Sequence, residues 1–458
     1  MTSPSALDPA EASPWQLHGR VLANAAMLGV ATLLVKLLAL AKDWLVARNL
    51  GAGDELDAYL IAFLIPSYGA AVLGHSFALA FIPTYIQARR RDAAAVARQL
   101  TGAVLAAGTV LLLLVAVALA LAAPLLLPLI GSGFGPAKLA LAQALLYVML
   151  GVLVLSGLSS IAAAVLNAHE RYVATSLAPA AVPVAMIVAF ASLGERYGIN
   201  SLAGGTLAGF ALELVLLTAA AWRVDLLPWP RFRNANGALG QIARRYWPVV
   251  VSTLLLSSGA MVDQAMAAGL AGGNVSVLNF GGKIVALILS LVAVSLSNVL
   301  LPRFSHQLAA GRWGELERTF WTYARAVFIG SLPVVALLVL VSEPLIRLLF
   351  ERGAFTPETT AAVSRVQVYL ALQIPFYVLA MIGARLLAAL DANQAVLRIG
   401  ALNLAINVAG NYLLMQWFGV DGIAMATSFA YLASAVATLV VVRTKLAEAR
   451  TQVEAPPT

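Results

Sequence analysis

The sequence predicts an all-α polytopic membrane protein with twelve transmembrane helices, arranged as two six-helix lobes related by a pseudo-two-fold axis along the membrane normal. Three observations lead to this prediction: a shortage of charge, long apolar segments and an internal repeat. Of the 458 residues, 61% are hydrophobic and 11% are charged, whereas a soluble domain carries roughly 25% charged residues. A soluble protein of this length could not cover its surface with so few charges.

The apolar segments are long enough to cross a bilayer. Leu111–Leu127 and Ile284–Leu301 contain no ionised side chain, and a membrane-spanning helix needs about 17 residues or more. Read along the whole chain, this pattern predicts twelve helical spans. They are residues 21–49, 57–86, 100–128, 139–167, 174–194, 200–222, 247–270, 275–301, 320–350, 361–389, 397–417 and 420–442.

The basic residues predict the orientation. With the N-terminus in the cytoplasm, 19 of the 29 lysines and arginines fall in or beside cytoplasmic segments, and four fall on the opposite side. Cytoplasmic loops of membrane proteins carry such an excess of positive charge. Both termini are therefore expected in the cytoplasm, which also explains the net charge of +8 without a nucleic-acid partner.

The two halves of the chain resemble each other. The second and eighth spans end at Pro83 and Pro302, each followed by a basic turn, and the fourth and tenth end near Asn167 and Asp391. The pairs are separated by similar distances in sequence, 219 and 224 residues. Six spans in each half give both halves the same orientation, as in transporters whose lobes rock around a central site. The predicted parts are an N-terminal tail (1–20), an N-lobe (21–222), a linker (223–246), a C-lobe (247–442) and a C-terminal tail (443–458).

Composition excludes several classes of function. The chain has no cysteine and four scattered histidines, so it offers no thiolate chemistry and no metal-ligand spacing. It has no phosphate-binding loop of the Walker type, which excludes direct use of ATP. The predicted outer loops, about 5–14 residues long, are too short to hold the active site of a polysaccharide polymerase. The sequence therefore predicts a secondary transporter and not an enzyme.

A first set of candidate residues consists of charges inside the predicted membrane. The first span carries Lys36, Lys42 and Asp43, and the eighth carries Lys283 after two glycines. Each such charge costs about 2.5–3.5 kcal/mol at the bilayer centre, so it usually faces a partner or a water-filled cavity. Several cations with few anions would suit a phosphate or pyrophosphate. Lys42 and Asp43 lie toward the outer end of the first span, so the alternative to a cavity role is that their charged groups extend to the membrane–water interface.

A second set is confined to the C-terminal half. It contains Asp263 on the seventh span, the asparagines 403, 407 and 411 at every fourth position of the eleventh, and Thr427 on the twelfth. One carboxylate with amide and hydroxyl oxygens suits a hard cation such as Na⁺, and Asp263 could equally carry a proton. The alternative is a purely structural set of hydrogen bonds between helices. We expect no other cofactor.

Several motifs resemble those of the MurJ/MviN-type lipid II flippases, within the superfamily of multidrug, oligosaccharidyl-lipid and polysaccharide exporters. That family has a pattern G-x-x-R-D-x-x-x-A-x-x-x-G-A-G, followed by D-A-F and a proline. The matching stretches cover the chain in order: Lys42–Gly53, Asp57–Tyr59, Ala62–Pro66, Phe77–Pro83, Leu300–Pro302 and Glu351–Thr356.

The resemblance implies an inner-membrane flippase that moves undecaprenyl-pyrophosphate-linked sugars from the cytoplasmic to the outer face. The family's cavity Arg-Asp pair falls on Lys42 and Asp43, and two further arginines fall on Lys36 and Lys283. Lysine binds phosphate as a point charge, without the fork of arginine. With Asp57 from the D-A-F motif and His75 in the second span, these residues form the predicted substrate-binding set.

Departures from the family pattern leave the glycan open. The stretch Gly69–His75 lacks the family's arginine pair and glutamate, Gly282 stands in place of an acidic residue, and the sequence ends after the twelfth span, where the family commonly has two more. The substrate is therefore lipid II or an exopolysaccharide or O-antigen repeat unit on the same lipid.

Two alternative functions remain at this stage: an ion-coupled multidrug exporter, and a non-transporting scaffold for envelope assembly. The expected location is the bacterial inner membrane. The expected state is a monomer that contacts membrane lipids, its lipid-linked substrate and proteins of envelope polysaccharide synthesis.

Overall fold

The computed structural model describes residues 14–91, 93–224, 226 and 238–454, with some side chains inside these ranges left out. All regular structure in these residues is helical. The helices are α1 (Pro14–Leu50), α2 (Asp54–Arg91), α3 (Ala93–Ile130), α4 (Pro136–Ala168), α5 (Tyr172–Leu177), a 3₁₀ turn (Ala178–Ala180), α6 (Ala181–Tyr197), α7 (Ile199–Trp222), α8 (Ala238–Ala268), α9 (Asn274–Ala309), α10 (Trp313–Phe350), α11 (Pro357–Ala371), α12 (Ile374–Ala389), α13 (Asn393–Phe418) and α14 (Val420–Glu454).

Most of these helices are long and apolar enough to cross a membrane. Within the described residues nine stretches qualify, and α8 makes a tenth when its two arms, bent by 44°, are taken as one span. The remaining two predicted spans are α1 and α13. The side chains of the first part of α1, up to residue 28, lie outside the described residues, and three asparagines interrupt the apolar run of α13. The prediction of an all-α, multi-pass membrane protein is confirmed.

Some helices continue beyond the predicted spans. Helix α9 runs through Pro302 to Ala309, so the expected loop of residues 302–319 is reduced to a short connection before α10. A proline inside a helix removes one hydrogen bond but need not end it. Helix α14 likewise continues to Glu454 through the predicted tail. Residues 1–13 of the predicted N-terminal tail, and most of the predicted linker (225 and 227–237), lie outside the described residues.

The internal repeat is visible in the backbone at two helix ends. Glu170 and Asp391 have positive φ angles of 58° and 56°, and Gly198 and Gly419 have 53° and 58°. A residue in this left-handed region commonly ends a helix. Both pairs are separated by the same 221 residues. This spacing aligns Asp391 with Glu170 and not with Asn167, which shifts the predicted alignment by three residues.

The chain divides into two compact units. The first contains residues 1–43, 77–113 and 154–243, and the second contains 44–76, 114–153 and 244–458. Helices α6 and α7 pack together in the first unit, and α9 to α14 pack together in the second. These units do not coincide with the predicted N-lobe and C-lobe, because parts of α1 to α4 belong to the second unit. The two-lobe arrangement stays a prediction.

Within the second unit, two of the sequence motifs meet at one point. The turn between α1 and α2 contains Gly51, and the loop before α11 contains Gly353, both with φ near 60°. The amide of Ala354 donates to the carbonyl of Arg48 at 2.8 Å. A Cβ at Gly51 would lie 2.4 Å from the Ala354 carbonyl oxygen, so only glycine fits this contact.

Helix α11 begins four residues before the predicted span. The hydroxyl of Thr356 accepts a hydrogen bond from the backbone amide of Thr359 at 3.3 Å, and Pro357 is the first residue of α11. This is an N-terminal cap with proline at the first helical position.

A buried carboxylate next to this contact joins three helices of the second unit. Asp57 on α2 is 1% exposed, and it accepts hydrogen bonds from the amides of Gly273 and Ser276 at 2.7 and 2.8 Å. It also accepts from the Ser276 hydroxyl at 2.6 Å and from Lys138 on α4 at 2.9 Å. Asp57 thus caps α9, whose own N-cap residue is a glycine. The positive end of the helix and the lysine compensate its charge.

We predict that Asp57→Ala strongly lowers the thermal stability of the purified protein. The substitution leaves two buried amides of α9 without their acceptor and removes the buried one of the two carboxylates that bind Lys138, and breaking a buried charge pair costs about 3–5 kcal/mol. Asp54→Ala is the matched control, because Asp54 binds the same Lys138 at 2.7 Å but has a side chain that is 70% exposed. An exposed pair contributes about 0–1 kcal/mol. Equal unfolding temperatures for the two variants would contradict this assignment.

Candidate functional site

The predicted polar residues of the C-terminal half meet around one buried carboxylate. Asp263 on α8 is 9% exposed. The side-chain amides of Asn407 and Asn411 on α13 donate to its Oδ1 at 3.0 and 2.7 Å, and the Thr427 hydroxyl on α14 is 3.0 Å from its Oδ2. The Thr427 hydroxyl also lies 3.0 Å from the carbonyl oxygen of Ile423, so it can donate to either oxygen. The structure therefore brings together all four residues predicted as an ion site.

One oxygen in this cluster has no partner. The side chain of Asn411 is fully buried, and its Oδ1 receives no hydrogen bond in the described structure. Buried polar atoms are almost always paired, so an orphaned acceptor points to a bound water or ion. A carboxylate, an amide oxygen and a hydroxyl oxygen are ligands that hard cations prefer. The residues present fit Na⁺.

Small residues let the two helices that carry these side chains approach each other. A Cβ at Gly422 on α14 would lie 2.3 Å from the carbonyl oxygen of Leu414, and one at Gly410 on α13 would lie 3.0 Å from the Cβ of Ala426. Helices in membranes associate through such small-residue contacts. The asparagines then lie on one face of α13 because they recur every four residues.

The first half of the chain lacks this site, as the sequence predicted. The 221-residue spacing places Val182, Met186 and Phe190 of α6 at the positions of the three asparagines. Met186 and Phe190 are buried and apolar. The asparagines of the candidate cation site are therefore present in the second half of the repeat, and apolar residues occupy the corresponding positions of the first half.

The predicted substrate-binding charges of α1 lie in the first unit. Lys42 forms an ion pair with its neighbour Asp43, which is 7% exposed, while Lys36 is exposed. The pair reduces the positive charge that Lys42 presents, because an adjacent carboxylate neutralises part of it. Lys36 has no such neighbour in sequence.

The other predicted substrate-binding residues lie in the second unit. Lys283 on α9 is half-buried. Both oxygens of Asp57 are occupied by the α9 contacts described above. His75 is on α2, but its side chain lies outside the described residues. Two of its neighbours on α2 contact α8: the Leu73 carbonyl accepts a hydrogen bond from the Tyr246 hydroxyl, and the Ser76 hydroxyl donates to Thr253. Their role in substrate binding stays a prediction.

The sequence alone does not reveal the partners of Asp57, and the sequence analysis assigns no role to Lys138 or Ser276. These partners are 81 and 219 residues away along the chain. No local pattern marks such pairs. In the part of the chain that the structure describes, no group of three or more His, Asp or Glu residues could hold a metal ion.

Comparison with known proteins identifies the family. The model of the lipid II flippase MurJ family matches residues 46–453. Among curated proteins, the chain is 28% identical over 418 residues to a probable lipid II flippase MurJ of Rhizobium meliloti, covering 88% of this chain and 76% of that protein. It is 27% identical over 444 residues to its counterpart in Synechocystis, covering 91% and 80%.

Solved structures show the same fold. A lipid II flippase MurJ in an inward closed conformation superposes with a TM-score of 0.81 at 21% identity, covering 93% of this chain and 90% of that one. An inward-facing multidrug resistance MATE transporter of the MOP superfamily gives 0.74 at 15% identity, covering 91% and 96%. The family assignment confirms that the chain is a transporter and not an enzyme. This multi-pass membrane protein belongs to the MurJ family of lipid II flippases.

Proposed function

We propose that this protein moves lipid II from the cytoplasmic to the periplasmic face of the bacterial inner membrane by alternating access. The single observation that carries the proposal is the match of the MurJ family model to residues 46–453, nearly the whole chain. The relatives named above are described as probable lipid II flippases. Both termini lie in the cytoplasm in this proposal, because the basic residues cluster on that side of the spans.

The pyrophosphate of the lipid would contact the cations Lys36, Lys42 and Lys283. A pyrophosphate carries several negative charges, and charge-assisted contacts from lysine are about twice as strong as neutral hydrogen bonds. The ion pair between Lys42 and Asp43 supports a role in releasing the substrate, since Asp43 competes with the pyrophosphate for the same ammonium group. The sugars would lie in water and the prenyl chain in lipid.

We predict that Lys42→Ala and Lys283→Ala each abolish rescue of a bacterium depleted of its own lipid II flippase. The wild-type chain should restore growth. Lys445→Ala is the matched control, because Lys445 is half-exposed and contacts only Glu448 within the same helix. Expression must be equal by immunoblotting. Normal growth with both variants would contradict the assignment of these lysines.

The same assay decides the glycan. A carrier of exopolysaccharide or O-antigen repeat units would fail to rescue the depleted strain even as the wild-type chain, and would restore polymer in a mutant that lacks the corresponding flippase. A multidrug exporter would do neither, and would lower the accumulation of cationic dyes.

We further propose that Na⁺ bound at Asp263 couples to this transport. Two observations support Na⁺: the orphaned, buried Oδ1 of Asn411, and the convergence of Asp263 with the polar side chains of α13 and α14. A proton on Asp263 is the alternative, since the Thr427 hydroxyl also lies 3.0 Å from the Ile423 carbonyl oxygen and can accept a hydrogen bond while donating to it. Asp263, Asn411 and Thr427 would hold the ion with their oxygen atoms.

We predict that Na⁺ raises the thermal unfolding temperature of the purified wild-type protein and that Asp263→Asn removes this effect. At one hundred times the dissociation constant, a ligand stabilises the folded state by about 2.7 kcal/mol. Asp421→Asn is the matched control, because Asp421 pairs with Arg365 at 3.0 Å in the same unit. It should keep the Na⁺ effect.

Potassium at equal ionic strength separates specific binding from a general salt effect. A Na⁺ shift that persists in Asp263→Asn would place the ion elsewhere. An equal shift with K⁺ would rule out a selective site.

A further inference from the structure

We propose that Na⁺ reaches and leaves the Asp263 site through a polar-walled cavity between α12, α13 and α14. This inference rests on the proposed coupling ion. The cavity has a volume of about 240 Å³ and is partly open. Its polar wall is formed by Tyr377, Asn403, Tyr431, Ser434 and Thr438.

Helices α13 and α14 each carry side chains that line the cavity and side chains that contact Asp263. Asn403 lies four residues before Asn407 on α13, about 6 Å along the helix axis. Ser434 lies seven residues after Thr427 on α14, which is two turns along the same face. The amide of Asn403 donates to the Ser434 hydroxyl at 2.8 Å. Asn407 and Thr427, which both contact Asp263, form a similar amide–hydroxyl pair at 3.4 Å.

Tyr431 lies at the junction between the cavity and the site. It lines the cavity, and it lies four residues after Thr427 on α14, one helical turn from the residue that contacts Asp263. Its ring packs edge to face against that of Tyr377 on α12, with centroids 5.2 Å apart. A cation that passes a tyrosine can interact with the hydroxyl oxygen and with the ring face. Movement of this pair would open or close the route.

The rest of the lining is compatible with the passage of an ion that has kept some of its water. The remaining wall is apolar and contains the small residues Ala380, Ala384 and Gly400. Among the described residues, no charged side chain lines the cavity; Arg385, which follows Ala384 on α12, is not part of the wall. A cavity of this volume holds several water molecules, since one water occupies about 30 Å³ of liquid.

The position of the cavity predicts the side from which the ion enters. Asn403 is in the N-terminal half of α13, and Ser434 and Thr438 are in the second half of the α14 membrane segment. The sequence places both of these helix ends toward the cytoplasm. In this conformation, the site would therefore exchange Na⁺ with the cytoplasmic side.

The chain contains no cysteine, so a single introduced thiol tests the route. Ala384→Cys places the thiol in the cavity wall, and a neutral, water-soluble methanethiosulfonate then blocks the cavity. The reconstituted, full-length protein is loaded with radioactive sodium, and its release is followed by filtration. Ala310→Cys is the matched control, because Ala310 is exposed between α9 and α10, away from the cavity.

We expect the modified Ala384→Cys protein to release sodium at least about tenfold more slowly, equivalent to about 1.4 kcal/mol of added barrier. Its equilibrium affinity should be unchanged, because a blocked route slows binding and release equally. Modified Ala310→Cys should behave as the wild type. Ala380→Cys, which also lines the cavity, replaces Ala384→Cys if that variant does not fold.

Three results would overturn the route. In the first, both cavity thiols are modified and release is unchanged. In the second, neither thiol reacts in the folded protein although both react after unfolding, so the cavity is closed to water. In the third, the unmodified wild type binds no sodium. This last result is seen before any modification, so it identifies the failure of the ion site itself.

Discussion

Asp263 is a carboxylate on a membrane-spanning helix, and it must be compensated where water is scarce. Amides from α13 and a hydroxyl from α14 provide this compensation, so three helices of the second unit are joined at one side chain. The energetic asymmetry is large, because a paired charge is tolerated in the interior and an unpaired one is not. A cation that adds to this cluster changes the electrostatic balance of all three helices at once. This is the physical basis for coupling an ion to movement.

The same principle operates at Asp57, with a different result. There the compensation comes from a helix end and a lysine, and no acceptor is left unpaired among the contacts that surround it. Asp57 therefore holds α2, α4 and α9 together and has no remaining capacity for a ligand in this conformation. The contrast with Asp263 lies in Asn411, whose oxygen is buried and unpaired. In our proposal, the two buried carboxylates therefore have different roles, which their partners determine.

Much of the fold could be predicted from the sequence, because a bilayer makes composition informative. Backbone groups in lipid must be satisfied within a helix, so long apolar segments identify the spans. The asparagines at positions 403, 407 and 411 share one face by helical periodicity alone, which is why the cluster around Asp263 could be predicted. The pairing of Asp57 with Lys138 and Ser276 could not be, since it depends on how distant helices meet. The continuation of α9 from Pro302 to Ala309 was not predicted, because a proline in the sequence often marks the end of a helix.

The central claim is that Na⁺ at Asp263 drives the transport of a lipid-linked precursor. The most direct measurement is the rate at which labelled lipid II crosses the membrane of vesicles that contain the purified protein, with and without a sodium gradient. The claim predicts faster translocation when a gradient is imposed than when sodium is equal on both sides, and no such difference in Asp263→Asn. Equal rates in the wild-type protein under the two conditions would contradict it.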